Sequence, residues 1–242
     1  MDPLLSIIIP AHNEETRLHG TLQRILAFLE TQSFSAEVII VENGSSDRTA
    51  MIGGAFAAEH PHIKLITEQK PGKGRAVRRG MCAARGTYRF ICDADLSMPI
   101  EEVTRFLPPQ APSYDIAIAS REVAGAKRYN EPYVRHLIGR AFNLLVRTLA
   151  VHSIHDTQCG FKSFHANVVE DLFGVQLLDG WTFDVEVLFI AQRRGYHVLE
   201  IPIPWHYFPG SKIHILRDSI NMFLDLFRIR RNWRKGLYAP RQ

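Results

Sequence analysis

Cysteine is scarce: only Cys82, Cys92 and Cys159 occur in 242 residues, and none forms a CxxC pair. Three thiols cannot pair completely, so a disulfide framework and a zinc ribbon are disfavoured and a reduced compartment is expected. Long apolar runs are missing too, since none approaches the roughly 18–20 residues that a membrane span needs. The N-terminus, Met1-Asp2-Pro3, has no basic n-region and no cleavage signature, so no signal peptide is expected. Acidic residues are absent from 226–242, where Arg228, Arg230, Arg231, Arg234, Lys235 and Arg241 stand. Of 29 basic residues, 23 remain for the rest of the chain, against 25 acidic ones. A near-neutral body with a basic end points to anionic lipid or nucleic acid more than a diffuse excess would.

What is present is globular in kind. A hydrophobic share of 46% with 22% charged residues excludes a disordered, collagen-like or coiled-coil chain. The length fits one large domain or two small ones, with enough chain to bury a real core. Leu5–Ala11, Glu37–Glu42, Ile63–Ile66, Tyr88–Cys92 and Tyr114–Ser120 read as short, buried strands. Helical spacing covers 14–31, a stretch from Asp47 to about Glu59, and 75–85. Apolar strands alternating with helices imply an α/β fold with a mainly parallel sheet flanked by helices.

The second half predicts a helix over 133–151. Leu137, Ala141, Leu144, Leu145 and Leu149 share one side of it, and His136, Arg140, Asn143 and Arg147 share the other. A loop over 155–164 leads to a short strand, then a helix at 181–194, strands from Val198 and Pro204, and a last helix over 214–235. No repeat or linker interrupts the chain. It reads as one domain, 1–242, with halves at 1–120 and 121–212 and a C-terminal amphipathic helix in 213–242.

Ligands of an open parallel sheet bind beyond the carboxyl ends of its strands. Four polar motifs fall there: His12-Asn13-Glu14, Glu42-Asn43-Gly44, Pro71-Gly72-Lys73-Gly74 and Asp93-Ala94-Asp95. Residues i and i+2 of a nearly extended segment point the same way, so Asp93 and Asp95 are candidate ligands of a hard cation completed by phosphate oxygens. Gly72-Lys73-Gly74 before a helix suits phosphate, or serves as a plain helix-entry turn. It is no dinucleotide fingerprint, because Val77 holds the last glycine position. Glu14 and Glu42 are candidates for ribose hydroxyls or a base edge, with a first-turn helix charge as the other reading of Glu14.

Together, IIIPAHNE, VENGSSD, GKGRAV and DADLS resemble the inverting GT-A glycosyltransferases of family 2. Ser120-Arg121, Arg135 with Gly139-Arg140, Asp156-Thr-Gln-Cys-Gly-Phe-Lys162, Phe183-Asp184-Val-Glu186 and Gly210-Ser211-Lys212 narrow the resemblance. They are similar to the dolichyl-phosphate sugar synthases: first the β-glucosyltransferases, next the mannose synthases. The resemblance implies a Rossmann-like GT-A fold. It places a nucleotide sugar on Pro10, Ala11, Asn13, Glu14, Glu42, Gly44, Lys73, Gly74, Asp93, Ala94 and Asp95, with Mg²⁺ or Mn²⁺ on Asp93 and Asp95. Acceptor phosphate would meet Arg121, Arg135, Arg140, Asp156, Gln158 and Lys212. Asp95, Arg121, Arg135 and Lys212 would carry the chemistry. Two departures stand out: Glu42-Asn43 replaces the frequent aspartate pair, and Ser97 replaces a third, glutamine ligand.

The implied donor is UDP-glucose, with GDP-mannose as the alternative, and the implied acceptor is a polyprenyl phosphate. A phosphate monoester has a second pKa of ~6 and needs no general base. Asp156, Asp184 and Glu186 are then orienting residues, or Asp184 and Glu186 simply pair with Arg193 or Arg194. The wide apolar arc of 213–235, beside the basic tail, reads as an interfacial helix on anionic lipid, or as a helix packed against the body or the 133–151 helix. The expected location is the cytoplasmic face of a membrane, held peripherally, with no nucleic-acid partner. A membrane-surface binding protein without turnover is the competing class.

Overall fold

The computed structural model describes residues 2–207 and 215–239; the side chains of residues 134, 135 and 215–218 lie outside that description. The chain runs β1 (Leu5–Ala11), α1 (Leu18–Glu30), β2 (Ala36–Asn43), α2 (Thr49–Glu59), β3 (Ile63–Glu68), α3 (Lys73–Ala83) and β4 (Tyr88–Ile91). A 3₁₀ segment at Ile100–Phe106 precedes β5 (Ile116–Ser120), β6 (Lys127–Tyr129), α4 (Tyr133–Leu149), β7 (Lys162–His165) and α5 (Ala166–Phe173). The chain closes with α6 (Phe183–Arg193), β8 (Val198–Pro202), β9 (Pro204–His206) and α7 (Ile215–Arg234).

Seven strands form one sheet in the order β3-β2-β1-β4-β7-β5-β8. Successive side chains of a strand point to opposite faces. Ile7, Ile9, Val38 and Ile40 therefore enter one core with Leu18, Leu22 and Ile25 of α1 and Phe106. Ile8, Ile39 and Val41 enter the other, with Ala76, Val77 and Met81 of α3 and much of α5 and α6. Both faces are covered, which is why β1 and β2 read as unbroken apolar runs. The expected α/β architecture stands.

The differences have local causes. β7 lies antiparallel between β4 and β5; its sequence, Lys-Ser-Phe-His, carries no apolar run. β6 pairs in parallel with β9 as a small second sheet. α1 starts at Leu18 rather than 14, because Asn13 is left-handed (φ 53°) and the amides of Arg17 and Leu18 both return to the carbonyl of Glu14.

α4 turns its apolar side outward. Leu137, Leu144 and Leu145 are exposed, together with Tyr133 and Ile138. Val146 is buried in the body instead, and on the polar side Asn143 Nδ2 donates to the His155 carbonyl. α7 divides its wide arc. Met222, Leu226 and Ile229 are buried, and Trp233 meets Phe189 edge-on, while Ile220, Phe223, Leu224 and Phe227 are exposed.

Candidate active site

The loops after β1, β2 and β3 meet at one rim and tie each other down, and Lys73 after the third reaches Asp93 in the loop after β4. His12 Nδ1 lies 2.8 Å from the Asn43 carbonyl, and Asn13 Oδ1 accepts the Ser46 amide at 2.8 Å. Asn43 Nδ2 donates to the Gly72 carbonyl at 2.8 Å, joining the second loop to the Gly72–Gly74 turn. Gly72 has φ 147° and sits against the Asp179 carbonyl, a place only glycine fills without strain. Pro10, Ala11, Asn13, Glu14, Glu42, Gly44 and Gly74 are thus brought to the rim the motifs implied. Glu42 is 3% exposed and spends Oε1 on the Ser45 amide, so it shapes its own turn. Glu14 pairs with Arg17 at 3.2 Å.

Asp93-Ala94-Asp95 is a turn, not the extended segment expected from its place after β4. The Leu96 amide returns to the Asp93 carbonyl, Leu96 has φ 45°, and Asp95 Oδ1 accepts the Ser97 amide at 3.0 Å. Thr21 Oγ1 donates to the Ala94 carbonyl from beneath. Ser97 therefore acts through its backbone, holding Asp95.

Lys73 Nζ lies 2.7 Å from Asp93 Oδ1 and 5.4 Å from the centre of the Trp181 ring. Burial alone would lower its pKa, but the carboxylates of Asp93, Asp184 and Asp95 prevail and raise it. Lys162 and Asp184 form a buried pair at 2.8 Å, with side chains 2% and 8% exposed. Burial raises the Asp184 pKa, and Lys162 and Lys73 oppose the rise. Three carboxylates thus share a half-enclosed centre with two ammonium groups. The pairing of Asp184 with Arg193 or Arg194 is replaced by Lys162. Glu186 instead accepts the Leu177 and Leu178 amides and the Tyr238 hydroxyl, at 3.1, 2.8 and 2.6 Å.

Elsewhere in the site, Arg121 follows β5. Its backbone amide and Nε reach Asp156 Oδ2 at 2.9 and 2.7 Å, and Nη2 reaches Oδ1 at 2.9 Å. Burial alone would raise the Asp156 pKa, yet Arg121 holds it down at about 2. The guanidinium also lies 5.2 Å from the Trp205 ring centre. Asp156 thereby fixes the orientation of the Arg121 guanidinium through Nε and Nη2. Gln158 follows half-buried, its amide on Asp156 Oδ1 at 3.3 Å. Arg140 is exposed on α4 and no ion pair holds it among the described residues. Lys212 and the side chain of Arg135 lie outside the described residues.

One loop, 156–162, organises both sides. Asp156 grips Arg121, Gly160 abuts Asp93, and Lys162 grips Asp184 while donating to the Cys159 carbonyl. Gly160, Lys162 and Trp181 also line this centre, and residue-by-residue reasoning gave none of them a role. Two lie inside the quoted Asp156–Lys162 block, and the third stands two residues before Phe183 of the Phe183–Glu186 motif.

The site suits a divalent cation in its donor chemistry. Asp93 and Asp95 offer hard oxygens, and Asp93 Oδ1 already carries a cationic partner, while Asp93 Oδ2 fills the space that a Cβ on Gly160 would need. No cluster of three or more His, Cys, Asp or Glu side chains suited to a metal occurs among the described residues, so a ligand's oxygens would complete the shell.

Residues 6–173 match glycosyl transferase family 2. The chain belongs to glycosyl transferase family 2. It is a hexosyltransferase. The transferase is 36% identical to a dolichyl-phosphate beta-glucosyltransferase of Trichomonas vaginalis, over 97% of this chain and 73% of the relative. It is 33% identical to the Saccharomyces cerevisiae dolichyl-phosphate beta-glucosyltransferase, over 97% of this chain and 76% of the relative. Solved structures share the GT-A fold. Mannosyl-3-phosphoglycerate synthase from Rubrobacter xylanophilus aligns with a TM-score of 0.69 at 17% identity, over 97% of this chain and 75% of that one. Glucosyl-3-phosphoglycerate synthase from Mycobacterium tuberculosis, crystallised with Mn²⁺, UDP-glucose and phosphoglyceric acid, aligns at 0.65 and 16% identity, over 99% and 81%.

Proposed function

We propose that this transferase moves glucose from UDP-glucose to dolichyl or a related polyprenyl phosphate at a membrane surface. One observation carries the choice of acceptor: the buried carboxylates of the acceptor half are all spent. Asp156 binds Arg121, Asp184 binds Lys162, and Glu186 accepts three hydrogen bonds. A sugar hydroxyl would need a base that these residues do not offer. A phosphate monoester needs none, because it is mostly dianionic at pH 7. The names of the relatives support the same acceptor, and the UDP-glucose complex of the structural neighbour supports the donor.

The reaction forms a bond from an acceptor phosphate oxygen to the anomeric carbon and breaks the bond from that carbon to UDP. Approach from the opposite face inverts the centre. When bound at Asp93 and Asp95, Mg²⁺ or Mn²⁺ would neutralise the diphosphate that leaves. Arg121, fixed in the plane set by Asp156, offers guanidinium contact to the incoming phosphate. Lys73 supplies a positive charge beside the diphosphate. In a transfer assay with vesicle-borne polyprenyl phosphate, we expect glucosyl lipid from UDP-glucose and loss of product with EDTA. Product from GDP-mannose alone, or EDTA-insensitive product, would overturn the assignment.

The membrane reading draws on α4 and α7. No helix is long and apolar enough to cross a bilayer among the described residues. The exposed side of α7 carries Ile220, Phe223, Leu224 and Phe227, followed by Arg230, Arg231 and Arg234. α4 adds the outward Leu137, Ile138, Leu144 and Leu145. Apolar side chains with adjoining arginines suit the interface of an anionic bilayer, which also holds the polyprenyl chain. F223S/F227S should weaken co-sedimentation with phosphatidylserine vesicles about tenfold or more, given about 1.5–3 kcal/mol for each large apolar side chain buried. Unchanged binding by the folded double variant would refute the docking face.

A further inference from the structure

We propose that Lys73 is a built-in competitor of the metal: its ammonium occupies Asp93 until a nucleotide diphosphate draws it away. The inference rests on the reading that Asp93 and Asp95 hold a divalent cation.

The geometry separates a fixed backbone from a movable head. Lys73 opens α3, directly after Gly72, whose carbonyl accepts from Asn43 and whose Cα packs on the Asp179 carbonyl. The Arg75 amide also returns to that carbonyl, so the turn cannot shift easily. The side chain is a four-carbon stem with a compact charge. It has a primary partner, Asp93 Oδ1 at 2.7 Å, and an aromatic face, Trp181, at 5.4 Å. With the side chain only 17% exposed, water screens the ion pair weakly.

Charge balance sets the competition. Asp93, Asp95 and Asp184 face Lys73 and Lys162, a net of one negative charge. Lys162 is locked on Asp184 and the Cys159 carbonyl, so Lys73 alone has freedom to leave. A divalent cation arriving by itself meets a carboxylate oxygen already paired with an ammonium. A diphosphate at the start of α3 offers Lys73 a second anion and frees Asp93. Metal and nucleotide then strengthen each other's binding, and by linkage the effect is reciprocal.

Mn²⁺ binding can be followed by the EPR signal of the free ion, with and without UDP, on the whole chain. The wild type should bind Mn²⁺ weakly alone and markedly better with UDP. K73M should bind Mn²⁺ alone about tenfold more tightly, within the usual range of coupling between sites, and should gain less from UDP. K70M makes the same charge change at an exposed lysine of the same loop and should match the wild type. K73Q serves if K73M fails to fold. K73 variants that bind Mn²⁺ alone no better than wild type overturn the inference, as does an equal gain in K70M. D95N tests the underlying reading separately: Mn²⁺ binding that survives in D95N with UDP would mean the metal is held elsewhere.

Discussion

Asp95→Asn lowers kcat/KM for glucosyl transfer by about 10²–10³-fold while the protein stays folded. Asparagine keeps the size of the side chain and an oxygen for the Ser97 amide, so the turn at 93–97 keeps its internal bond. What is lost is one negative charge. The centre then balances Asp93 and Asp184 against Lys73 and Lys162, and its attraction for a divalent cation falls accordingly. Charge stabilisation at a departing diphosphate is worth several kcal/mol, and each 1.36 kcal/mol is tenfold in rate. Steady-state kinetics with UDP-glucose would measure the loss, and a thermal unfolding transition matching that of wild type would show the fold intact. Turnover near that of wild type would end the case for Asp95.

The rim where the motifs meet was legible because its strands are apolar runs with polar residues at their carboxyl ends. Ile7-Ile8-Ile9 and Val38–Val41 announce a sheet covered on both faces, and such a sheet binds at one edge. β7 was not legible as part of that sheet, since Lys162 and Ser163 are buried by their partners rather than by their own hydrophobicity. The helix at 133–151 shows the converse. Its periodicity was real, but periodicity gives a face and not a direction. Leu137 and Leu144 point away from the body because Val146 and Ala150 on the other side already meet it. Asp93 and Asp95 were singled out by spacing, on the expectation of an extended segment, and the structure puts them in a turn.

Gly160 carries the largest consequence that no spacing rule would reveal. Its backbone does not need glycine, for it is absent from the positive-φ glycines of the chain. Its space does: a Cβ there would overlap Asp93 Oδ2. In Gly160→Ala either the loop or the carboxylate must move. The loop is held on both sides, by Asp156 on Arg121 and by Lys162 on Asp184. The Asp93 side chain is 26% exposed and, among the described residues, its one ion-pair partner is Lys73, so the carboxylate gives way.

Overpacking of this kind costs about 1–3 kcal/mol of stability, whereas a displacement near 1 Å at a reacting centre costs about 10²-fold in rate. The expected result is a modest fall in melting temperature, weaker Mn²⁺ binding in the presence of UDP, and about a hundredfold loss of kcat/KM. Gly139→Ala is the control, since no atom lies within 4 Å of its added methyl, and it should leave activity unchanged. If Gly160→Ala kept normal turnover and metal binding, the Asp93 carboxylate could not be the one on which transfer depends. If it lost stability without any change in the pure enzyme's Mn²⁺ affinity, Gly160 would be a packing glycine and the link from loop 156–162 to the donor rim would fail.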